Sequence, residues 1–314
     1  MPEDTWKAIV ASQYIAGQDA AQLLACTKWY EAAYDWRTVS FAMQTKARLQ
    51  ANQARGILYY IQAVDKVSQH VSQKELVRIV AEPNLSNTKK LAGLLPAFIG
   101  MDMIMQKTLL PPQYVTGTVG KLVGIELHPD EPNIPTRQSV GEAGCVILQY
   151  MPKCLYLEIP DTADGFIQSE HVDAPQLGSN VIAIEPDSRT WNHRTEDGVK
   201  VNVTRRQIPL LPAKISTLHG IQGKTADPGL AVHWKFPKGL SAEALWLAHY
   251  VILSRPRSLA NLLRFGLPSR KILAAGPPAA ITEAFQRVFA DKIETTKEAC
   301  AEARRQLGWP ARVA

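Results

Sequence analysis

Three textures follow one another along this chain, and their order is the strongest constraint on its fold. Between residues 97 and 210, short apolar runs (Val119 to Leu127, Cys145 to Met151, Cys154 to Ile159, Val181 to Ile184, Val201 to Val203) are separated by Pro, Gly, Asp and Asn. Apolar runs of this length bounded by turn formers read as strands, here a small all-β unit with loops. The stretch from Asp161 to Arg194 reads as a long loop with one strand.

The flanks differ. Residues 3 to 56 read as helical: Ala and Gln abound, no Pro follows Pro2, and Ile9, Ile15, Leu23 and Leu24 recur at helical spacing. Gly56 is placed to close that region as a C-cap. The run from Ile57 to Asp65, apolar and aromatic, predicts a strand. From Leu211 the α/β pattern returns. Ala213 to Leu218 and Leu230 to Trp234 are strand candidates, and Ser241 with Glu243 opens a helix. Residues 277 to 309 form a last helical segment with Pro277-Pro278 at its start. A β-rich stretch between two α/β pieces predicts one α/β domain interrupted by a barrel-like module, with both pieces feeding one sheet.

Composition narrows the function classes. The 314 residues are 46% hydrophobic and 20% charged, the balance of an ordinary globular chain of about two domains. A formal net charge of +6 suits a partner carrying phosphates, and equally a solvated surface with a few extra lysines, since no dense basic run occurs. None of the four cysteines, Cys26, Cys145, Cys154 and Cys300, forms a C-x-x-C pair, which argues against zinc and against a disulfide framework. The polar, acidic stretch Met1 to Lys7 has no apolar run behind it, and no stretch approaches ~20 uninterrupted apolar residues. The expectation is an intracellular protein, neither secreted nor membrane-spanning.

Two short segments carry candidate chemistry. The first is Ser216-Thr217-Leu218-His219-Gly220-Ile221-Gln222-Gly223-Lys224-Thr225, a strand end running into a polar turn with two glycines. Glycines let backbone N–H groups approach an anion, and His219 and Gln222 can hydrogen-bond a phosphate or a sugar. On spacing alone His219 reads equally as a satisfied loop histidine. Gly223-Lys224-Thr225 looks like the tail of a phosphate loop, but G-x-x-x-x-G-K-[ST] requires Gly where Leu218 stands. The second segment is His249-Tyr250-Val251-Ile252-Leu253-Ser254-Arg255-Pro256-Arg257-Ser258. A guanidinium there can fork onto phosphate oxygens, or sit in a surface salt bridge.

Taken in order, the two segments resemble motifs five and six of the PIF-type DNA helicases of superfamily one, relatives of RecD. The fifth motif reads approximately T-I-H-K-S-Q-G-x-T, against Thr217 through Thr225. The sixth reads approximately Y-V-A-L-S-R-x-R-S, against Tyr250 through Ser258. Pro209 to Ala213 looks like the segment before the fifth motif. Phe98 to Met103 with Val115 to Gly120 resembles an upstream G-M-x-V…N-G-x-x-G run, and Ala51 to Asp65 a looser one. The resemblance covers roughly residues 45 to 270.

It implies a RecA-like parallel-sheet domain, the second of two motor domains, interrupted by a small SH3-like β-barrel and bounded by helical termini. The implied division is 1–100 for the first part of the RecA-like domain with its N-terminal helices and 101–210 for the insert. Residues 211–275 would be the second part carrying both motifs, and 276–314 a C-terminal helical segment. Arg255 would be the arginine finger meeting the γ-phosphate of ATP. Gln222 and Gly223 would lie near nucleotide, and Thr217, His219, Lys224 and Thr225 on the single-stranded DNA side. ATP and Mg2+ would be held by an N-terminal RecA-like domain, in cis or in trans, because no phosphate-binding loop and no acidic metal-binding strand is found here. In a eukaryote the resemblance implies a nuclear or mitochondrial protein. Two departures stand in the fifth motif, where Gly220 and Ile221 replace the family's Lys and Ser. They leave open a catalytically inactive module that binds nucleic acid or protein.

Overall fold

The computed structural model describes residues 3–13, 26–132, 144–160 and 180–307. At its centre lies a parallel sheet of four strands, β1 (Tyr30–Ala33), β13 (Ile215–Thr217), β14 (Leu230–His233) and β15 (Leu262–Phe265), in the order β13-β1-β14-β15. Strands far apart in sequence thus share one sheet, as an interrupted α/β domain requires. One face is covered by α4 (Ala242–Leu253), whose N-cap Ser241 accepts a hydrogen bond from Ala244 N at 3.1 Å. There Ala248 and Ile252 pack on Ala32, Leu230, Val232 and Leu262. On the other face α2 (Trp36–Gln53), capped by Asp35, contributes Val39 and Met43. The first helix, α1 (Glu3–Ala11), reaches the sheet edge through Gln13, bridged to Arg264. The fully buried Arg264 guanidinium donates to the carbonyls of Ile9, Val10 and Gly266.

Between the two sequence pieces of this sheet lie, among the described residues, eleven strands in antiparallel or mixed sheets. β12 (Leu210–Pro212), β5 (Asp102–Met105), β6 (Val119–Glu126), β8 (Cys154–Glu158) and β9 (Val181–Ile184) form a five-stranded antiparallel sheet in that order. β2 (Leu58–Gln62) pairs with β4 (Leu94–Ala97) and β7 (Cys145–Ile147). β10 (Asp187–Arg194), β11 (Lys200–Gln207) and β3 (Val64–Val67) form a third sheet beside α3 (Gln73–Val80). Arg205 on β11 lies directly opposite Asp65 on β3 and forks onto its two oxygens at 2.8 and 2.7 Å, while also donating to the Leu91 and Ile79 carbonyls.

Several expectations need correction. The N-terminal stretch is not continuously helical, because Tyr30–Ala33 is a strand. Buried on both faces and rich in Ala, it shows none of the alternation that marks a strand facing water on one side. The C-cap of helix α2 is not Gly56 but Ala54, and Arg55 after it takes the left-handed turn at φ 53°. The parallel sheet takes one strand from the first hundred residues, and Leu58–Met105 pairs outside it. Residues 161–179 of the expected loop lie outside the described residues. Asp187–Arg194, expected within that loop, is a strand whose mostly polar sequence buries only Trp191 and His193. Two further helices, α5 (Arg270–Ala275) and α6 (Ala279–Gln306), follow among the described residues. Among the described residues no helix is long and apolar enough to cross a membrane.

Candidate nucleic-acid and nucleotide interface

The turn after β13 is built around two buried side chains. Leu218 and Ile221, 2% and 1% exposed, are drawn into the core beneath α4. The backbone between them closes a short 3-10 turn, His219–Ile221. Thr217, only 9% exposed, accepts a hydrogen bond on its hydroxyl from Gly220 N at 3.3 Å and so shapes the turn from inside. With Ile221 plugged inward, Gln222, Gly223, Lys224 and Thr225 are pushed out into solvent. Gly223 has φ 78°, a conformation that side chains with a Cβ rarely take. At Gly220 a Cβ would lie 1.9 Å from Ser216 Oγ. The chain then returns to the core at Ala226, 3% exposed.

At that return the two candidate segments meet. Ala226 N donates to the Arg255 carbonyl at 3.0 Å, and Ala226 bridges Pro256. Arg255 follows the C-cap of α4, where Ser254 Oγ donates to the Tyr250 carbonyl at 2.7 Å. Its guanidinium donates to Ser254 Oγ, at 2.9 Å from Nη2, and to the Lys224 carbonyl, at 3.3 Å from Nη1. Among the described residues no carboxylate pairs with it. The neighbouring Arg257 behaves differently. It forms an exposed ion pair with Asp227 at 3.3 Å, the kind of contact that contributes little.

Aromatic and imidazole rings back this junction. Tyr34 meets His219 edge-on, with centroids 6.1 Å apart, and meets Phe236 in the same way. Phe236 stacks on His249 at 5.2 Å. Trp234 Nε1 donates to His249 Nε2 at 3.2 Å, so the proton lies on Nδ1, facing the Leu245 carbonyl at 2.6 Å. Burial pushes His249 below the ordinary histidine range, with the Leu245 bond opposing the shift.

On the opposite side of the turn runs a groove of about 210 Å3 between the turn, α2 and the β-rich insert. Strand β13 contributes Ser216 and the turn Gly220, Ile221 and Lys224; α2 contributes Trp36 and Met43; the β-rich part contributes Ile104, Gln106 and Thr116. Lys90 and Lys214 complete its basic lining, the Lys90 ammonium standing 4.5 Å over the Trp36 ring. Lys214 also reaches Asp102 at 3.8 Å. An aromatic face among ammonium groups is what a single strand of nucleic acid needs, stacking for a base and positive charge for phosphates. Of the residues expected to touch DNA, Lys224 lines the groove, His219 and Thr225 are exposed on the same turn, and Thr217 is packed behind it. Trp36, Lys90 and Lys214 had no local signal, being single residues brought together only by the fold.

No family model and no curated protein sequence matches the chain. Solved structures do match. The Pif1 helicase of Candida albicans overlays 93% of this chain and 55% of its own, at 17% identity and a TM-score of 0.53. A Bacteroides Pif1 bound to single-stranded DNA overlays 93% of this chain and 51% of its own, at 15% identity and a TM-score of 0.49. The chain therefore shares its fold with the Candida albicans Pif1 helicase. It spans about half the length of the structures it matches.

Proposed function

We propose that the chain supplies the second RecA-like motor half of an ATP-dependent DNA helicase. It grips single-stranded DNA and lends Arg255 to ATP and Mg2+ held by another RecA-like domain, joined in cis or in trans. The observation that carries this reading is the Arg255 guanidinium, unpaired with any carboxylate among the described residues and tied to the Lys224 carbonyl. An unpaired guanidinium can stabilise the charge developing on a transferred γ-phosphoryl group. Its tie to the turn carrying Lys224 gives a path from nucleotide to DNA. Gln222 and Gly223, at the crest of that turn, lie toward the nucleotide, and His219, Lys224 and Thr225 toward the strand. Thr217 acts by holding the turn. The chain's own sequence offers no phosphate-binding loop, so the triphosphate itself is held elsewhere. We read the five-stranded antiparallel sheet as the counterpart of the family's small SH3-like barrel.

A second reading, a binding module without catalysis, is favoured by Ile221. Where the family has a DNA-facing hydroxyl, this chain has a buried plug. One experiment separates the two. ATP turnover by a RecA-like ATPase domain with single-stranded DNA is measured with and without this chain, wild type and Arg255→Ala. Stimulation that falls on the order of 10³-fold in the variant, with DNA affinity intact, supports the finger. Salt-dependent DNA binding with no stimulation supports the module. A much smaller loss in the variant removes Arg255 from the chemistry.

A further inference from the structure

Helix α6 spans 28 residues and buries none of them. Isolated helices are marginal without tertiary packing of an amphipathic face, and this one has such a face. Phe285, Phe289, Ile293, Thr296, Cys300, Ala303 and then Leu307 follow at steps of three or four, on one stripe. Phe285, Phe289 and Leu307 are 66%, 56% and 60% exposed. The opposite face carries Arg287, Asp291, Glu294, Glu298, Glu302 and Arg305.

We propose that this stripe pairs with the same stripe of a second copy of the chain, the two helices running antiparallel. Size and charge select that arrangement. The stripe is aromatic in its first half and small in its second. In the antiparallel pair Phe289 faces Cys300 of the second copy and Ile293 faces Thr296, so large side chains meet small ones. Glu283 then flanks Arg304 of the other helix. A parallel pair sets Phe289 against Phe289 and Lys292 beside Lys297. Sliding the antiparallel pair by one heptad in either direction sets Lys292 beside Lys292, or Lys297 beside Lys297. Each of these places like charges across the seam.

Cysteine pairing on the full chain tests both the partner and the direction. In the antiparallel register the two Cys300 residues lie roughly 16 Å apart along the axis, eleven residues at ~1.5 Å each, too far for a disulfide. Mild oxidation of the wild type, an exposed Cys300 notwithstanding, is expected to give no dimer linked through Cys300. Phe289→Cys is expected to link to Cys300 of the second copy, and the link is lost in Phe289→Cys combined with Cys300→Ser. Light scattering is expected to show a dimer at tens of micromolar, converted to monomer by Phe289→Glu, an exposed change that leaves the fold intact. A monomeric wild type overturns the proposal, as does a dimer untouched by Phe289→Glu. So does a Cys300–Cys300 link, or a link through the new thiol of Phe289→Cys that persists without Cys300, since neither fits this antiparallel register.

Discussion

The groove beside the motif-five turn makes a quantitative prediction that the chain can be asked alone. Three ammonium groups line it, on Lys90, Lys214 and Lys224. If each neutralises one phosphate of a single strand, log affinity falls with log salt at a slope of about −2, from about −0.7 per contact. A fourfold rise in salt then weakens binding roughly twentyfold. Removing one ammonium should flatten that slope to about −1.4. Lys224→Ala is the cleanest choice because its side chain is exposed and makes no ion pair in the described structure. The Trp36 ring contributes differently. Loss of a stacked base costs about 1–3 kcal/mol, roughly 5- to 150-fold in affinity, with no charge removed and so no change in slope.

Fluorescence anisotropy with a labelled pyrimidine oligonucleotide, repeated across a salt series, reads both quantities. Trp36→Leu keeps apolar packing against the cluster of Val39, Met43, Leu85 and Leu211 and separates stacking from folding, with a thermal melt as control. The expected pattern is a flatter slope for Lys224→Ala and a uniform loss at every salt concentration for Trp36→Leu. If Lys224→Ala leaves the slope unchanged and Trp36→Leu leaves the affinity unchanged, the strand does not run through this groove.

Two stability predictions follow from buried polar groups. Arg205→Ala strands the Asp65 carboxylate, with its side chain 5% exposed, and should cost about 3–5 kcal/mol in urea unfolding; replacing both partners by apolar residues should cost less than either single change. His249 is held below its ordinary value by burial, so the unfolded chain binds that proton first. Its contribution is fully present above a pH of about 6.5 and is lost as pH falls from there through the lowered folded value. His249→Gln, which can still accept from Trp234, should flatten that acid limb when unfolding midpoints are compared across pH.

Much of the fold was legible because its strands are short apolar runs between turn formers. Val181–Ile184 appears with the expected bounds, Val119–Glu126 and Cys154–Glu158 one residue shorter, and Ser241 caps its helix as expected. What escaped has a common physical origin. Tyr30–Ala33 is stabilised by neighbours on both sides, Ile215–Thr217 and Leu230–His233, and by burial, none of which leaves a period in its own four residues. Asp187–Arg194 pairs along its whole length with Lys200–Gln207, so ladder hydrogen bonds rather than apolar alternation hold it. At the site, the two motif segments were visible as sequence. Their junction through Ala226 and Arg255 was not, and neither was the meeting of Trp36, Lys90 and Lys214.

The same local physics decides what the two departures in the fifth motif mean. Ile221 is one of ten buried residues in the core beneath α4, so a polar side chain there would be placed in a largely apolar site. Gly220 sits where a Cβ would fall 1.9 Å from the Ser216 hydroxyl and 3.2 Å from its Cβ, so a lysine at 220 requires Ser216 to move first. The turn is therefore self-consistent as a glycine followed by an apolar plug. Positive charge reaches the groove from three other places: Lys90 over the Trp36 ring, Lys214 just before β13, and Lys224 at the end of the turn. Three ammonium groups thus stand around an apolar centre, an arrangement that suits a phosphate backbone.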